Sequence, residues 1–327
     1  MSTVPPEPAP TALAADSFSS LIDALAAAPA AALTPLTALL TALMGNHLPV
    51  AHFDRTVRCT LDAAGSPRSI PRVRGFALRV LSRLCFGSGA AVALGLVEVA
   101  GVLPLLLRSL DSPKAFERFG GVSLLSALVH HLSEETVQQF FDTLVSSGAL
   151  RSVFALLARC RPSSADAGCL ASQCIQNLCT GSEARKEAAM AAGAAKGLTA
   201  VLRMLNEEGH AEFSVLELGG ELHILQTDNV DHDNLEATVN SIALAIATLT
   251  SGPGMLSRSR LFTLEGVEEE LGFCWADNPE LGGLKMALVN LFASGGETQA
   301  AVLAAVPLEC FLPVLEGLGR QSVNEQN

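Results

Sequence analysis

The chain has 327 residues, enough to bury a large core in one or two domains, and its formal net charge is −12. That balance counts against general nucleic-acid affinity, because backbone binding depends on lysine and arginine neutralising phosphates. With no tyrosine, one tryptophan and 17% charged residues, and with alanine and leucine abundant, the composition favours helix packed on helix over sheet.

The first 16 residues are rich in proline and alanine and read as a disordered tail. No basic residue precedes Arg55, so neither a secretory n-region nor an arginine-rich transit peptide is visible. The stretch 24–44 is uncharged and about long enough to span a bilayer, but it is mostly small residues divided by Pro29 and Pro35. Two packed helices are expected there instead of a membrane span. Residues 17–320 read as one helical repeat domain, and 321–327 as a second disordered tail. The eight cysteines are spread along apolar helical stretches, unlike the framework of a small secreted domain. They read as reduced core thiols in a cytoplasmic protein.

From residue 100 onward one pattern recurs: a small residue and glycine open an aliphatic helix. Ala100-Gly101-Val102-Leu103-Pro104 is the clearest copy, and Ser147-Gly148-Ala149-Leu150, Ala192-Gly193-Ala194-Ala195 and Glu265-Gly266-Val267 begin similar segments. A second helix precedes each and ends on a recurring leucine: Leu84, Leu132, Leu178, Leu249 and Leu291. Subtraction gives intervals of 48, 46, 71 and 42 residues. Only the third is long, and it implies an insertion of roughly 25–30 residues over a period of roughly 40–47. The polar stretch 206–234 is the candidate.

Ala287-Leu288-Val289-Asn290-Leu291-Phe292-Ala293-Ser294-Gly295-Gly296 resembles the end of an armadillo third helix. Ala100 to Pro104 resembles the start of its second helix, and Cys174-Ile175-Gln176-Asn177-Leu178-Cys179 is a divergent copy of the third-helix ending. The resemblance covers roughly residues 52–318. It implies an all-α, right-handed superhelical armadillo-like solenoid in which stacked repeats share one core and leave an extended concave surface for protein. HEAT-type stacking has an overlapping period and is an open alternative.

In armadillo proteins of the importin-alpha and beta-catenin kinds, an asparagine on each third helix bonds the backbone of an extended peptide. By that resemblance the equivalent positions are Arg83, His131, Asn177, Thr248 and Asn290, of which only the two asparagines match. One turn earlier, where importin-type grooves carry tryptophan, stand Arg79, Ala127, Gln173, Leu244 and Met286. An importin-like receptor for nuclear signals is therefore not expected. Arg72, Arg79 and Arg83 fall on one helical face, with Arg68 and Arg74 nearby. They could anchor acidic side chains, a phosphorylated peptide or a terminal carboxylate, since guanidinium binds such oxygens bidentately. A solvated face with local ion pairs is the competing explanation. Arg72, Arg79, Arg83, His131, Gln173, Asn177, Thr248 and Asn290 are the expected partner-binding residues.

Between Arg203 and Arg258 there is no lysine or arginine, while nine carboxylates accumulate from Glu207 to Glu236. Such asymmetry would orient a partner or a second copy. Within this insertion, 212–218 and 221–226 are β-compatible and flank Gly219-Gly220, so a protruding β-hairpin or a loop is expected. Asp233 and Glu236 read as a capping box for the following helix.

Catalytic and cofactor motifs are missing from the sequence. Residues 229–234 fail the calcium-loop spacing, and Cys169, Cys174 and Cys179 recur every five residues, which does not suit a structural zinc site. His130-His131 has no evident catalytic partner. The expectation is a non-enzymatic, cofactor-free and metal-free scaffold or adaptor for a protein segment, acidic or extended. The competing readings are a structural subunit of a cytoskeletal or organellar assembly, and a regulator of a chaperone or GTPase.

Overall fold

The computed structural model describes residues 15–45, 52–88, 90–98, 102–131, 134–157, 165–208, 217–218, 221–222, 232–277 and 281–306. Both expected tails lie outside these residues, except that Ala15 and Asp16 already belong to the first helix. The described chain gathers into two compact units that divide between Thr136 and Val137.

The first unit holds α1 (Ala15–Ala27), a 3-10 turn (Pro29–Ala31), α2 (Leu33–Gly45), α3 (Phe53–Gly65), α4 (Pro71–Ser88), α5 (Ala90–Glu98), α6 (Val102–Leu110) and α7 (Ala115–His131). The uncharged stretch is thus two helices broken at Pro29, where the ring fixes the backbone of a new first turn. No single described helix is long and apolar enough to cross a membrane. α3 and α6 bury residues at i, i+3, i+4, i+7 and i+8: Thr56, Cys59, Thr60, Ala63, Ala64, with Val57 beside them, and Val102, Leu105, Leu106, Ser109, Leu110. One stripe is enough because each faces a single core. α1, α3 and α6 pack in series as one layer, and α2, α4 and α7 as a second. The first two helices therefore form an additional two-helix repeat.

α4 and α7 approach most closely at two glycines. A Cβ on Gly120 would lie 2.5 Å from the Gly75 carbonyl oxygen, and one on Gly75 would lie 2.5 Å from the Phe116 ring. The Ser82 hydroxyl donates to the Ser123 carbonyl across the same interface (2.9 Å). Every residue from Gly120 to Val129 is buried, so this length of α7 has no solvent-facing side.

The second unit begins within α8 (Glu134–Ser146). It continues with α9 (Ala149–Leu157), α10 (Ala165–Cys179), α11 (Glu183–Ala191), α12 (Ala194–Glu208), α13 (His232–Leu249), α14 (Met255–Leu264), α15 (Val267–Asp277), α16 (Gly282–Ala293) and α17 (Gly296–Ala305). α9, α12 and α15 form one layer, and α10, α13 and α16 the other. The glycines read as helix openers turn the first helix of each triplet into the second: Gly148, Gly193 and Gly266 have φ of 76°, 106° and 75°. That left-handed conformation costs glycine nothing. Leu84, Leu178, Leu249 and Leu291 are all buried, each contributing about 2 kcal/mol; Leu132 lies outside the described residues.

The expected insertion, 206–234, falls between α12 and α13. α12 runs to Glu208 and α13 starts at His232, so helix propagation claims both ends of 206–234. Asp233 then falls inside the first turn of α13, not at its cap. The expected hairpin over 212–226 is not supported either. Among the described residues there is only a two-residue antiparallel ladder, Glu217 opposite Leu222 and Leu218 opposite Glu221, far short of an independently stable hairpin.

Candidate functional site

In the first unit Arg72, Arg79 and Arg83 do share a face of α4, because spacings of seven and four residues return to the same side of a helix. Arg83 is exposed and Arg72 half-buried, its Nε buried with no hydrogen-bond partner. The Arg79 guanidinium lies over the rings of Phe119 (5.0 Å) and Phe76 (5.8 Å). Cation–π contact of this kind holds the group against its own core. Arg74 belongs elsewhere: it falls on the opposite side of α4 and its Nε contacts Glu117 Oε1 at 2.5 Å. Burial would raise the Glu117 pKa, but hydrogen bonds from Arg74 and Ser112 outweigh it and hold the carboxyl below its ordinary value. An open cavity of about 400 Å³ beside this pair is lined by Arg74, Arg108, Asp111 and Glu117 among others. Its arginines are already bonded to Glu117, Ser69 and Ala64.

His131 sits half-buried at the end of α7, edge-on to His130 (4.8 Å) and close to the exposed Phe86 ring of α4 (5.9 Å). Its Nε2 is buried without a partner, and burial lowers its pKa. The pairing of Phe86 with two histidines has no sequence signature, since it depends on where two helix ends meet.

In the second unit, side-chain amides tie neighbouring third helices together. Gln173 of α10 reaches the Ser241 hydroxyl of α13 (3.4 Å), and Asn240 of α13 accepts from the Gly283 N–H of α16 (2.9 Å). Asn290 of α16 donates to the Ala247 carbonyl of α13 (2.9 Å). Thr248 donates back to Leu244 (2.9 Å). Asn177 differs: it is half-buried and makes no side-chain hydrogen bond among the described residues. Leu170, Gln173, Leu244, Thr248, Met286 and Asn290 of these three helices are also partly or fully exposed.

Three cations are buried at the helix junctions of this unit. Arg185 donates to the Thr180 carbonyl (2.8 Å) and to Gln138 (3.3 Å), and Lys186 to Glu183 (2.8 Å) and Ser251 (3.0 Å). Arg258 donates to the Leu249 and Ser251 carbonyls (2.5 and 2.7 Å) and pairs with Glu183 and Glu187. They donate to carbonyls at helix ends, groups that lack a donor within the helix itself. Sequence reasoning missed them because arginine and lysine are almost never fully buried unless paired, and the pairing is not written in one segment.

Of the described cysteines, five are buried and Cys169 is half-buried. Burial pushes the Cys85 and Cys179 thiols up to about 12, away from thiolate chemistry. Cys160 and Cys310 lie outside the described residues. No group of three histidine, cysteine, aspartate or glutamate side chains that could hold a metal occurs among the described residues.

These layers of stacked helices define an all-α armadillo-like repeat solenoid. The chain is similar to a designed armadillo repeat protein in complex with the peptide (KR)4, at 16% identity over 90% of this chain and 99% of that one, with a TM-score of 0.50. Two engineered proteins are similar at 17% and 15% identity and TM-scores of 0.51 and 0.53, covering 87% and 89% of this chain and 94% and 67% of theirs. At such identity the likeness concerns the fold. No family profile matches the chain, and no curated protein matches it.

Proposed function

We propose that this chain is a non-enzymatic cytoplasmic scaffold or adaptor that holds a protein segment against its third helices. The observation that carries the reading is Asn177, whose amide is uncommitted while Gln173, Asn240 and Asn290 are bonded to groups on neighbouring third helices. An amide presents both a donor and an acceptor, the pair needed to bond the backbone of an extended segment. The designed neighbour in complex with a peptide supports the same use of the fold.

Partner capture by the full chain, with crosslinks mapped, tests this. Asn177→Ala combined with Met286→Glu is expected to weaken capture by at least about tenfold without lowering thermal stability, since both side chains are solvent-accessible. Crosslinks should fall on α10, α13 and α16. Unchanged capture, or crosslinks confined to other helices, would overturn the reading.

A second reading, a permanent subunit of a larger assembly, is favoured by large apolar side chains left in solvent: Leu264 at 74% exposure, Phe273 at 65% and Leu256 at 58%. Size exclusion of a native extract separates the two. An adaptor elutes partly free, a fixed subunit only at high mass.

A further inference from the structure

We infer that the arginine face of α4 is a docking site for an acidic protein segment, one rich in aspartate or glutamate side chains. The inference gives partner chemistry to a surface of the proposed scaffold, and it rests on charge. α2, α4 and α7, the third-helix layer of the first unit, contain five arginines (Arg72, Arg74, Arg79, Arg83, Arg118) and a single carboxylate, Glu117. That carboxylate is buried and bonded to Arg74 and Ser112, so it cannot neutralise the other side of α4. Arg74 and Arg118 are bonded to Glu117 and the Ser112 carbonyl, and Arg72, Arg79 and Arg83 place three positive charges on one face of α4 in a chain of net charge −12.

The face is also built to keep its geometry. Arg79 is fixed over Phe119 and Phe76 and supplies a positive centre with little freedom to fold away. Arg72, two turns earlier, has a buried Nε that lacks an acceptor, and Arg83, one turn later, extends into solvent. With a rise of about 1.5 Å per residue the three span about 16 Å of helix, the length of roughly five extended residues. Carboxylates arrayed along such a segment would meet guanidinium donors bidentately. Long-range attraction cannot explain such binding, because the protein as a whole repels an acidic peptide. Affinity must come from this local face.

The test is fluorescence anisotropy on the full chain with labelled eight-residue peptides: alternating Asp-Glu, alternating Lys-Arg, alternating Gly-Ser, and a Gly-Ser peptide carrying one phosphoserine. The expected result is binding of the Asp-Glu peptide in preference to the other three, weakened by salt. Arg72→Glu with Arg83→Glu should weaken it by at least about tenfold. Arg83→Glu alone, at an exposed position where folding is not at stake, should weaken it measurably, and Arg83→Lys should retain most of it. Absence of Asp-Glu binding, equal binding by the double variant with its fold intact, or preference for the phosphoserine peptide would each overturn the inference. Asn177→Ala with Met286→Glu should leave this binding unchanged, so failure of the amide face and failure of the arginine face are told apart.

Discussion

The Arg258 guanidinium, 1% exposed, lies 2.8 Å from the Glu183 carboxylate and so joins the start of α14 to the start of α11. The hydrogen bond from Lys186 is the largest influence on Glu183. With the Arg258 contact and the Gly254 N–H, it brings the carboxyl down to about 2 from an ordinary 4.5. A carboxyl depressed by folding stabilises the protein above its ordinary value, and the contribution is lost as pH falls from about 4.5 toward about 2.

Arg258→Met should reduce that acid-sensitive contribution, leaving the Lys186 part, and also strip its donors from the Leu249 and Ser251 carbonyls. Urea denaturation at pH 7 is expected to show a loss of about 3 kcal/mol. The steepness of the stability change in the acid window should fall with it. A variant as acid-sensitive as the wild type would show that Glu183 draws its stabilisation from Lys186 alone.

Gly120→Ala should destabilise by about 2 kcal/mol, because the added methyl meets Gly75 backbone atoms and forces α4 and α7 apart. Gly65 provides the control. It ends α3 with nothing within 4 Å of an added Cβ, so Gly65→Ala should be neutral or slightly stabilising in the same thermal melt.

Glu268 behaves oppositely to Glu183. Burial raises its pKa, although Thr263 hydrogen-bonds it. For a carboxyl raised in the folded state, the contribution is fully present below the ordinary value and is lost as pH rises through the folded one. Glu268→Gln keeps an acceptor for Thr263 without the charge, and should stabilise by about 1 kcal/mol at pH 7. The gain should vanish near pH 4. Melting curves at the two pH values decide it; an equal gain at both would assign the effect to packing.

Asn177 and Asn290 occupy matching places in their repeats but should respond differently to removal. Asn290→Ala removes the shorter of two side-chain hydrogen bonds to the Ala247 carbonyl, leaving that from Thr250 at 3.4 Å, and should cost about 1 kcal/mol in chemical denaturation. Asn177→Ala should cost little, within about 0.5 kcal/mol. Similar losses for both would indicate that Asn177 also has a structural tie.

Much of the fold was legible along the chain because its signals are local. The recurring leucines, the glycines at Gly148, Gly193 and Gly266, and Pro29 between the first helices each act within a few residues of themselves. The hairpin expectation is not supported: β-compatible residues around Gly-Gly satisfy only a local rule, and the described residues of that stretch make two cross-strand pairs. The α4 arginines were visible as a stripe, yet the separation of Arg74 from Arg79 was not. It depended on which of them α7 offered a carboxylate and which an aromatic ring.

Sequence alone determined that this is a stack of helical repeats, since a 3.6-residue apolar period and a regular spacing of turn glycines are properties of contiguous residues. Tertiary structure decided what each polar side chain does. It set Asn290 to hold α13 and Asn177 to remain available, and it buried Arg258 beneath two carboxylates about 70 residues away in the chain. Such assignments require donors and acceptors from separate helices to meet within about 3 Å, a condition no single segment contains.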